Sequence, residues 1–237
     1  MKSNCIYGSG MLARAFFDAQ LPNNVVVIAA GVSDSQETDA SNFMRESAML
    51  QRVILENQGK KIVYFSSCSI YQKNKTPYIK HKLAMEQVIK KLADHYQIFR
   101  LPQIVGYTNN NTTVNYFVKS IVRRDIITIQ CKAARCLIDV SDVVRIVITV
   151  ISNTSFQNNT IDISNGINTP IHSIVSSIGK SLSINPVTKL SNSGENYVIP
   201  SLKLGSILSS DDPIYKSGYI VALLEKYVPI LASQHHV

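Results

Sequence analysis

Asn4-Cys5-Ile6-Tyr7-Gly8-Ser9-Gly10-Met11-Leu12-Ala13 is the stretch that decides the fold. Asn4–Tyr7 reads as a short apolar strand, Gly8-Ser9-Gly10 as a turn, and Met11–Gln20 as a helix with Leu12, Ala15 and Phe16 at helical spacing. From Gly8 the pattern is G-x-G-x-x-A. At such a joint the first glycine permits the tight turn and the second lets the backbone approach a pyrophosphate. The small Ala13 lets helix pack on strand, and the helix N-terminus favours the anion. A plain structural turn has the same local pattern. The preceding strand and the following helix are what point to a dinucleotide.

Outward from this joint, strands and helices alternate. Pro22-Asn23-Asn24 breaks the first helix, and the valine-rich run Val25–Ala30 reads as a strand buried on both faces. After a polar loop from Ser33 to Ser41 come a helix over 42–57, a strand over 61–66, and a long helix from Pro77 to about His95. Further strands are expected at 97–101, 126–129 and 160–164, and further helices at 111–124, 140–151 and 170–181. A last amphipathic helix, 215–231, is expected to end near Pro229. This alternation predicts an α/β fold, a mostly parallel sheet with helices on both faces.

Composition narrows the function classes. The 237 residues suit one sizeable core, or a core plus a small lobe, and 45% hydrophobic content excludes a disordered chain. The longest apolar run, Val25–Ala30, is far short of a membrane span, and the first residues show no signal peptide. The net charge of +8 is dispersed in pairs such as Lys60-Lys61, Lys90-Lys91 and Arg123-Arg124. No nucleic-acid-reading motif accompanies it, so it reads as a solvated surface with a share for a small anionic ligand. Cys5, Cys68, Cys131 and Cys136 have no zinc-like spacing, which predicts no metal and fits a reducing cytoplasm.

Tyr78 and Lys82 stand at i and i+4 of the long helix, on one face. A nearby ammonium favours the phenolate and makes a tyrosine a usable acid/base. Upstream, the strand over 61–66 runs into Ser66-Ser67-Cys68-Ser69-Ile70-Tyr71, placing hydroxyls where open α/β sheets put their active sites. Tyr64-Phe-Ser-Ser-Cys-Ser-Ile-Tyr71 and Pro77-Tyr-Ile-Lys-His-Lys-Leu-Ala-Met-Glu86 together resemble the extended short-chain dehydrogenase/reductase superfamily, and within it the NAD-dependent epimerase/dehydratase family of nucleotide-sugar enzymes. Its F-S-S-x-x-V-Y-G and P-Y-x-x-S-K-x-x-x-E motifs are met in order, with Gln72 in place of the first motif's glycine and His81 in place of the second's serine. Val26–Gly31, Arg100–Gly106, Arg135–Val143 and Ile161–Gly166 resemble further family segments, so the likeness runs from about residue 4 to 180.

The resemblance implies a shortened, doubly wound Rossmann-like domain over 1–166, with 107–137 contributing to the substrate side. A small α+β substrate lobe follows over 167–237. It implies Tyr78 as general acid/base, Lys82 on the nicotinamide ribose, and Ser67 on the sugar oxygen. NAD or NADP would be held by Gly8, Ser9, Gly10, Met11, Leu12, Ala29, Ala30, Gly31, Ser66 and Pro102, beside Tyr78 and Lys82. A nucleotide-diphosphate sugar would meet Ser33, Cys68, Ser69, Gln103, Asn115 and Arg135.

The chain departs from the family pattern in several ways, among them a short loop between Tyr71 and Tyr78. Tyr7 and Ala13 replace two glycines of the phosphate turn. Val25–Ala30 resembles the fourth family strand, so a strand–helix–strand unit is missing after Gln20, and with it the residue that reads the adenosine ribose. Cys68 and Ser69 replace the Asp-Glu pair of dehydratases, which disfavours dehydration. Epimerisation or 4-keto reduction in surface-polysaccharide synthesis is the expected activity. A non-catalytic dinucleotide- or sugar-binding scaffold is the alternative. His81 and Cys68 are possible extra acid/base groups. A homodimer is expected through helices 42–57 and 77–95, with Met49, Val53 and Ile89 facing outward.

Overall fold

A computed structural model describes residues 5–153 and 156–235, so Asn4 of the first expected strand lies outside the described residues. In chain order the elements are β1 (Ile6–Tyr7), α1 (Met11–Ala15), β2 (Val25–Ile28), α2 (Ala40–Glu56), β3 (Lys61–Ser67), α3 (Pro77–Leu92) and β4 (His95–Leu101). There follow β5 (Gln103–Val105), α4 (Thr113–Val122), β6 (Ile127–Gln130), β7 (Ala134–Arg135), β8 (Leu137–Asp139), α5 (Val140–Ser152) and β9 (Asn159–Asp162). The remainder is β10 (Thr169–Pro170), α6 (Ile171–Leu182), β11 (Thr188–Ser191), α7 (Leu202–Gly205) and α8 (Tyr219–Ser233). These elements form two compact units, Met1–Leu101 with Val143–Ile163, and Pro102–Asp142 with Ser164–Val237.

The first unit holds a Rossmann-like, all-parallel sheet in the order β1-β2-β3-β4-β9. Side chains alternate across it. One face presents Val26, Ile28, Ile62, Tyr64 and Ile98 to Leu50, Val53 and Ile54 of α2 and to Met85 and Ile89 of α3. On the other face the Phe65 ring lies 5.7 Å from that of Phe16, just past α1, and 6.2 Å from that of Phe99. There too Lys61 Nζ and Gln97 Nε2 donate to the Ile151 and Val150 carbonyls of α5. Thus α2 and α3 cover one face, while α1 and α5 cover the other.

This division fixes the hand of the first connection. The strands β1, β2 and β3 step in one direction, yet α1 and α2 cross on opposite faces, so β1-α1-β2 and β2-α2-β3 have opposite hands. About 98% of such crossovers are right-handed. The long α2 and α3 share a face, and assigning them the usual right hand places the five-residue α1 in the minority hand. In a full doubly wound sheet the order reverses beside the first strand. Here β1 pairs directly with β2 and, among the described residues, the order does not reverse.

The second unit is built from short pieces. β5 pairs parallel with β8, β6 parallel with β11, and β7 antiparallel with β10. Its core gathers Phe117 and Ile121 of α4, Ile174 and Ile178 of α6, and Leu224 and Val228 of α8. Asp139 ends β8 by accepting from Ser141 N, Lys226 Nζ and Tyr227 Oη, which ties it to α8.

Several expectations need correction. The first helix stops at Ala15 and continues as tight turns through Ala19. The last helix starts at Tyr219 and runs through Pro229 to Ser233. Pro229 is exposed, so the carbonyl it leaves without an intrahelical partner faces solvent. Val53 and Ile89 are fully buried in the core between sheet and helices and do not face outward. The large exposed apolar residues of α2 are Met44 and Leu55.

Candidate active site

Tyr78 and Lys82 owe their placement to the start of α3. Thr76 Oγ1 accepts from Ile79 N, and Pro77 takes the first turn, where no N–H is needed. Both side chains are buried, and Lys82 Nζ lies 5.9 Å from the centre of the Tyr78 ring. Val32, Ile70 and Ile79 pack around that ring. Ser67 ends β3. Its Oγ accepts from Ser69 N at 3.1 Å and shares a 2.7 Å hydrogen bond with Ser69 Oγ. The Cys68 thiol donates to the Arg100 carbonyl at 3.2 Å, a structural engagement.

The glycine turn stands at the C-terminal ends of β1 and β2. Gly8 has φ +137°, and a Cβ there would lie 2.5 Å from Ala29 O and 3.1 Å from Ala13 Cβ. The close approach of turn, strand end and helix therefore requires glycine. A Cβ on Gly10 would meet nothing within 4 Å, so the space above it is open. Ser9, Gly10 and Ser33 are exposed, while Met11, Leu12, Ala29 and Ala30 are half-buried.

Glu46 of α2 was not singled out from the sequence, yet it organises the site. It is 2% exposed. Its carboxylate accepts from Lys82 Nζ at 2.9 Å, Tyr64 Oη at 2.7 Å and Val32 N at 2.7 Å, and it meets His81 Nε2 at 2.9 Å. Tyr64 Oη also accepts from Lys82 Nζ at 3.2 Å. Gly31, at φ +136°, makes room: a Cβ there would lie 2.5 Å from Glu46 Cδ. Burial pushes the Glu46 pKa up, but the bonds to His81, Lys82 and Tyr64 win and hold it at about 2. Burial pulls the Lys82 pKa down, opposed by Glu46. Burial and the Glu46 charge push the Tyr64 phenol well up. A signal for Glu46 was present. It falls three residues after Phe43 and four before Leu50, on the stripe that continues through Val53 and Ile54.

The remaining residues singled out from the sequence, Pro102, Gln103, Asn115 and Arg135, belong to the second unit. Gln103 Oε1 accepts from Thr113 Oγ1. Asn115 is buried, with Nδ2 donating to the Thr108 and Asn110 carbonyls and Oδ1 bonded to His235 Nε2. Arg135 is half-buried, and its Nη1 donates to the Ala134 and Glu195 carbonyls.

The residues of the first unit fit the reacting end of a nicotinamide dinucleotide. Ser66 Oγ, at the end of β3, is buried without a hydrogen-bond partner among the described residues. The Lys82 ammonium has three N–H groups and two partners, which leaves one donor. The open space over Gly10 suits a phosphate. The adenosine end has no counterpart, because the chain runs from α1 to β2 with no intervening strand. Among the described residues, no cluster of His, Cys, Asp and Glu could hold a metal, and no helix is long and apolar enough to cross a membrane.

The model of the NAD dependent epimerase/dehydratase family matches residues 9–164. No curated protein matches the chain. Among solved structures, the chain is similar to the Bordetella bronchiseptica enzyme WbmH in complex with NAD+, with TM-score 0.72 and 14% identity over 90% of this chain and 76% of that one. It is similar to RMD from Pseudomonas aeruginosa complexed with NADPH, with TM-score 0.74 and 14% identity over 96% and 88%. It is similar too to UDP-glucuronic acid 4-epimerase from Bacillus cereus in complex with UDP-glucuronic acid and NAD, with TM-score 0.73 and 15% identity over 94% and 78%. At such identities the likeness is one of fold.

Proposed function

Because the chain belongs to the NAD-dependent epimerase/dehydratase family, we propose that it is an NAD- or NADP-dependent enzyme acting on a nucleotide-diphosphate sugar. The reaction we assign is epimerisation or 4-keto reduction, serving surface-polysaccharide synthesis in the cytoplasm. The observation that carries this reading is the Tyr78–Lys82 pair, one turn apart on α3 with the ammonium 5.9 Å from the phenol ring, in the same unit as Ser67 and the Gly8 turn. The similar structures with bound NAD, NADPH and UDP-glucuronic acid support the ligand classes.

When bound, the dinucleotide supplies a hydride acceptor and donor. The chain's own groups do the rest. Tyr78 Oη holds and returns a proton at the sugar oxygen. The Lys82 ammonium favours the phenolate, and its remaining N–H serves the ribose. Ser67 Oγ orients the same sugar oxygen, with Ser69 fixing its hydroxyl direction. The turn at Gly8–Gly10 receives the pyrophosphate. Cys68 and Ser69 lack the carboxylates that elimination of water requires. In the second unit, Arg135 keeps guanidinium N–H groups beyond Nη1 for a diphosphate. A homodimer through α2 and α3 belongs to this reading, with Met44 and Leu55 as its exposed apolar contacts.

Tyr78→Phe should lower turnover by about a hundred- to ten-thousand-fold while the circular dichroism spectrum is kept. Unchanged turnover would sink the reading. The missing adenosine end favours a second reading, a non-catalytic sugar-binding scaffold. Calorimetry separates the two: binding of NAD(H) or NADP(H) favours the enzyme, and no binding of either favours the scaffold.

A further inference from the structure

We infer that Glu46 is a positioning residue that keeps Lys82 in place as a charged ammonium inside a dry site. This rests on reading Lys82 as the ammonium partner of Tyr78. Lys82 is 4% exposed, and a lysine so buried loses its proton unless an opposite charge lies against it. A neutral amine would neither favour the Tyr78 phenolate nor present an ammonium to a ribose. The groups facing Lys82 are Glu46 from α2, Tyr64 from β3 and Tyr78 from α3 itself, while His81 of α3 faces Glu46. Of these, Glu46 is the carboxylate in contact. The buried carboxylate of α3 itself, Glu86, is taken by Arg100.

The surroundings are arranged around that carboxylate. Gly31 has no side chain where a Cβ would strike it, Val32 N donates to it, and His81 holds its second oxygen. Tyr64 is a hydroxyl-bearing residue at a strand position otherwise lined by Ile28, Ile62 and Ile98. Three elements thus contribute to one orientation of Glu46.

The test uses the full chain without dinucleotide, labelled at lysine 13Cε, with the Lys82 resonance identified by its loss in Lys82→Met. In the unsubstituted protein, Lys82 should be protonated at pH 7. In Glu46→Gln its titration midpoint should fall toward the pH of roughly 5–6 seen for buried lysines, so that it is neutral at pH 7. An unchanged midpoint in folded Glu46→Gln, or a neutral Lys82 in the unsubstituted protein, overturns the proposal. If Glu46→Gln does not fold, Glu46→Asp, one methylene shorter, weakens the 2.9 Å contact and should lower the Lys82 midpoint; an unchanged midpoint there also overturns the proposal. No turnover enters this measurement, so failure of the proposed reaction and failure of this inference give different results.

Discussion

Helix α3 carries two buried charges one turn apart, Lys82 and Glu86, and each reaches past the other to a different element. Lys82 crosses to Glu46 of α2, and Glu86 crosses to Arg100 of β4. Both carboxylates are about 1% exposed at the side chain. The chemistry differs. Arg100 grips Glu86 through Nε at 2.8 Å and Nη2 at 2.7 Å, a two-pronged contact, and a guanidinium does not give up its proton. Arg100 also donates to Tyr71 Oη, and Tyr71 donates to Asp162. Burial and Asp162 push the Tyr71 phenol up to about 12. That cluster is inert, a clamp between α3 and the end of the sheet. The Lys82 pair instead holds a group whose charge depends on its partner. Equal burial therefore does not mean equal purpose, and the identity of the cation makes the difference.

The contrast can be broken experimentally. Glu86→Ala takes the two-pronged partner from a permanently charged guanidinium, leaving it Asp162 at 3.6 Å and Tyr71, and should cost about 3 kcal/mol, read as a lower urea midpoint at unchanged slope. A loss below about 1 kcal/mol would remove the clamp from the comparison. Acid should act on the other pair. The Glu46 pKa is lower when folded, about 2 against 4.5, so its contribution is full above pH 4.5 and is lost as pH falls toward 2. The gap corresponds to roughly 3 kcal/mol. Stability measured from pH 5 to 2 should show this loss, and Glu46→Gln should flatten that part of the slope. Lys90 sharpens the comparison from below. It stands 3.9 Å from Glu86 and is a third exposed, so Lys90→Ala should change stability by less than about 0.5 kcal/mol.

The strand–turn–helix joint, the Tyr78–Lys82 spacing and the deletion before Val25 were legible because each is a local pattern or an ordered set of motifs. Glu46 was not. Its stripe position signals burial, but nothing local says that its partners lie 35 and 36 residues away. Val53 and Ile89 were misplaced outward because α2 and α3 lie side by side on one sheet face. Each buries a stripe wider than sheet contact alone demands. The second unit's strands, two to four residues each, are too short for alternation to register.

The minority hand of β1-α1-β2 gives Leu21–Asn24 the character of a suture. Helix α1 lies on the sheet face from which a right-handed step would lead away from β2, toward the free side of β1. A strand–helix–strand cassette spliced between Gln20 and Val25 would enter along that step. A right-handed step of that kind would pair the cassette with β1 and bring the chain back to β2 from the opposite face.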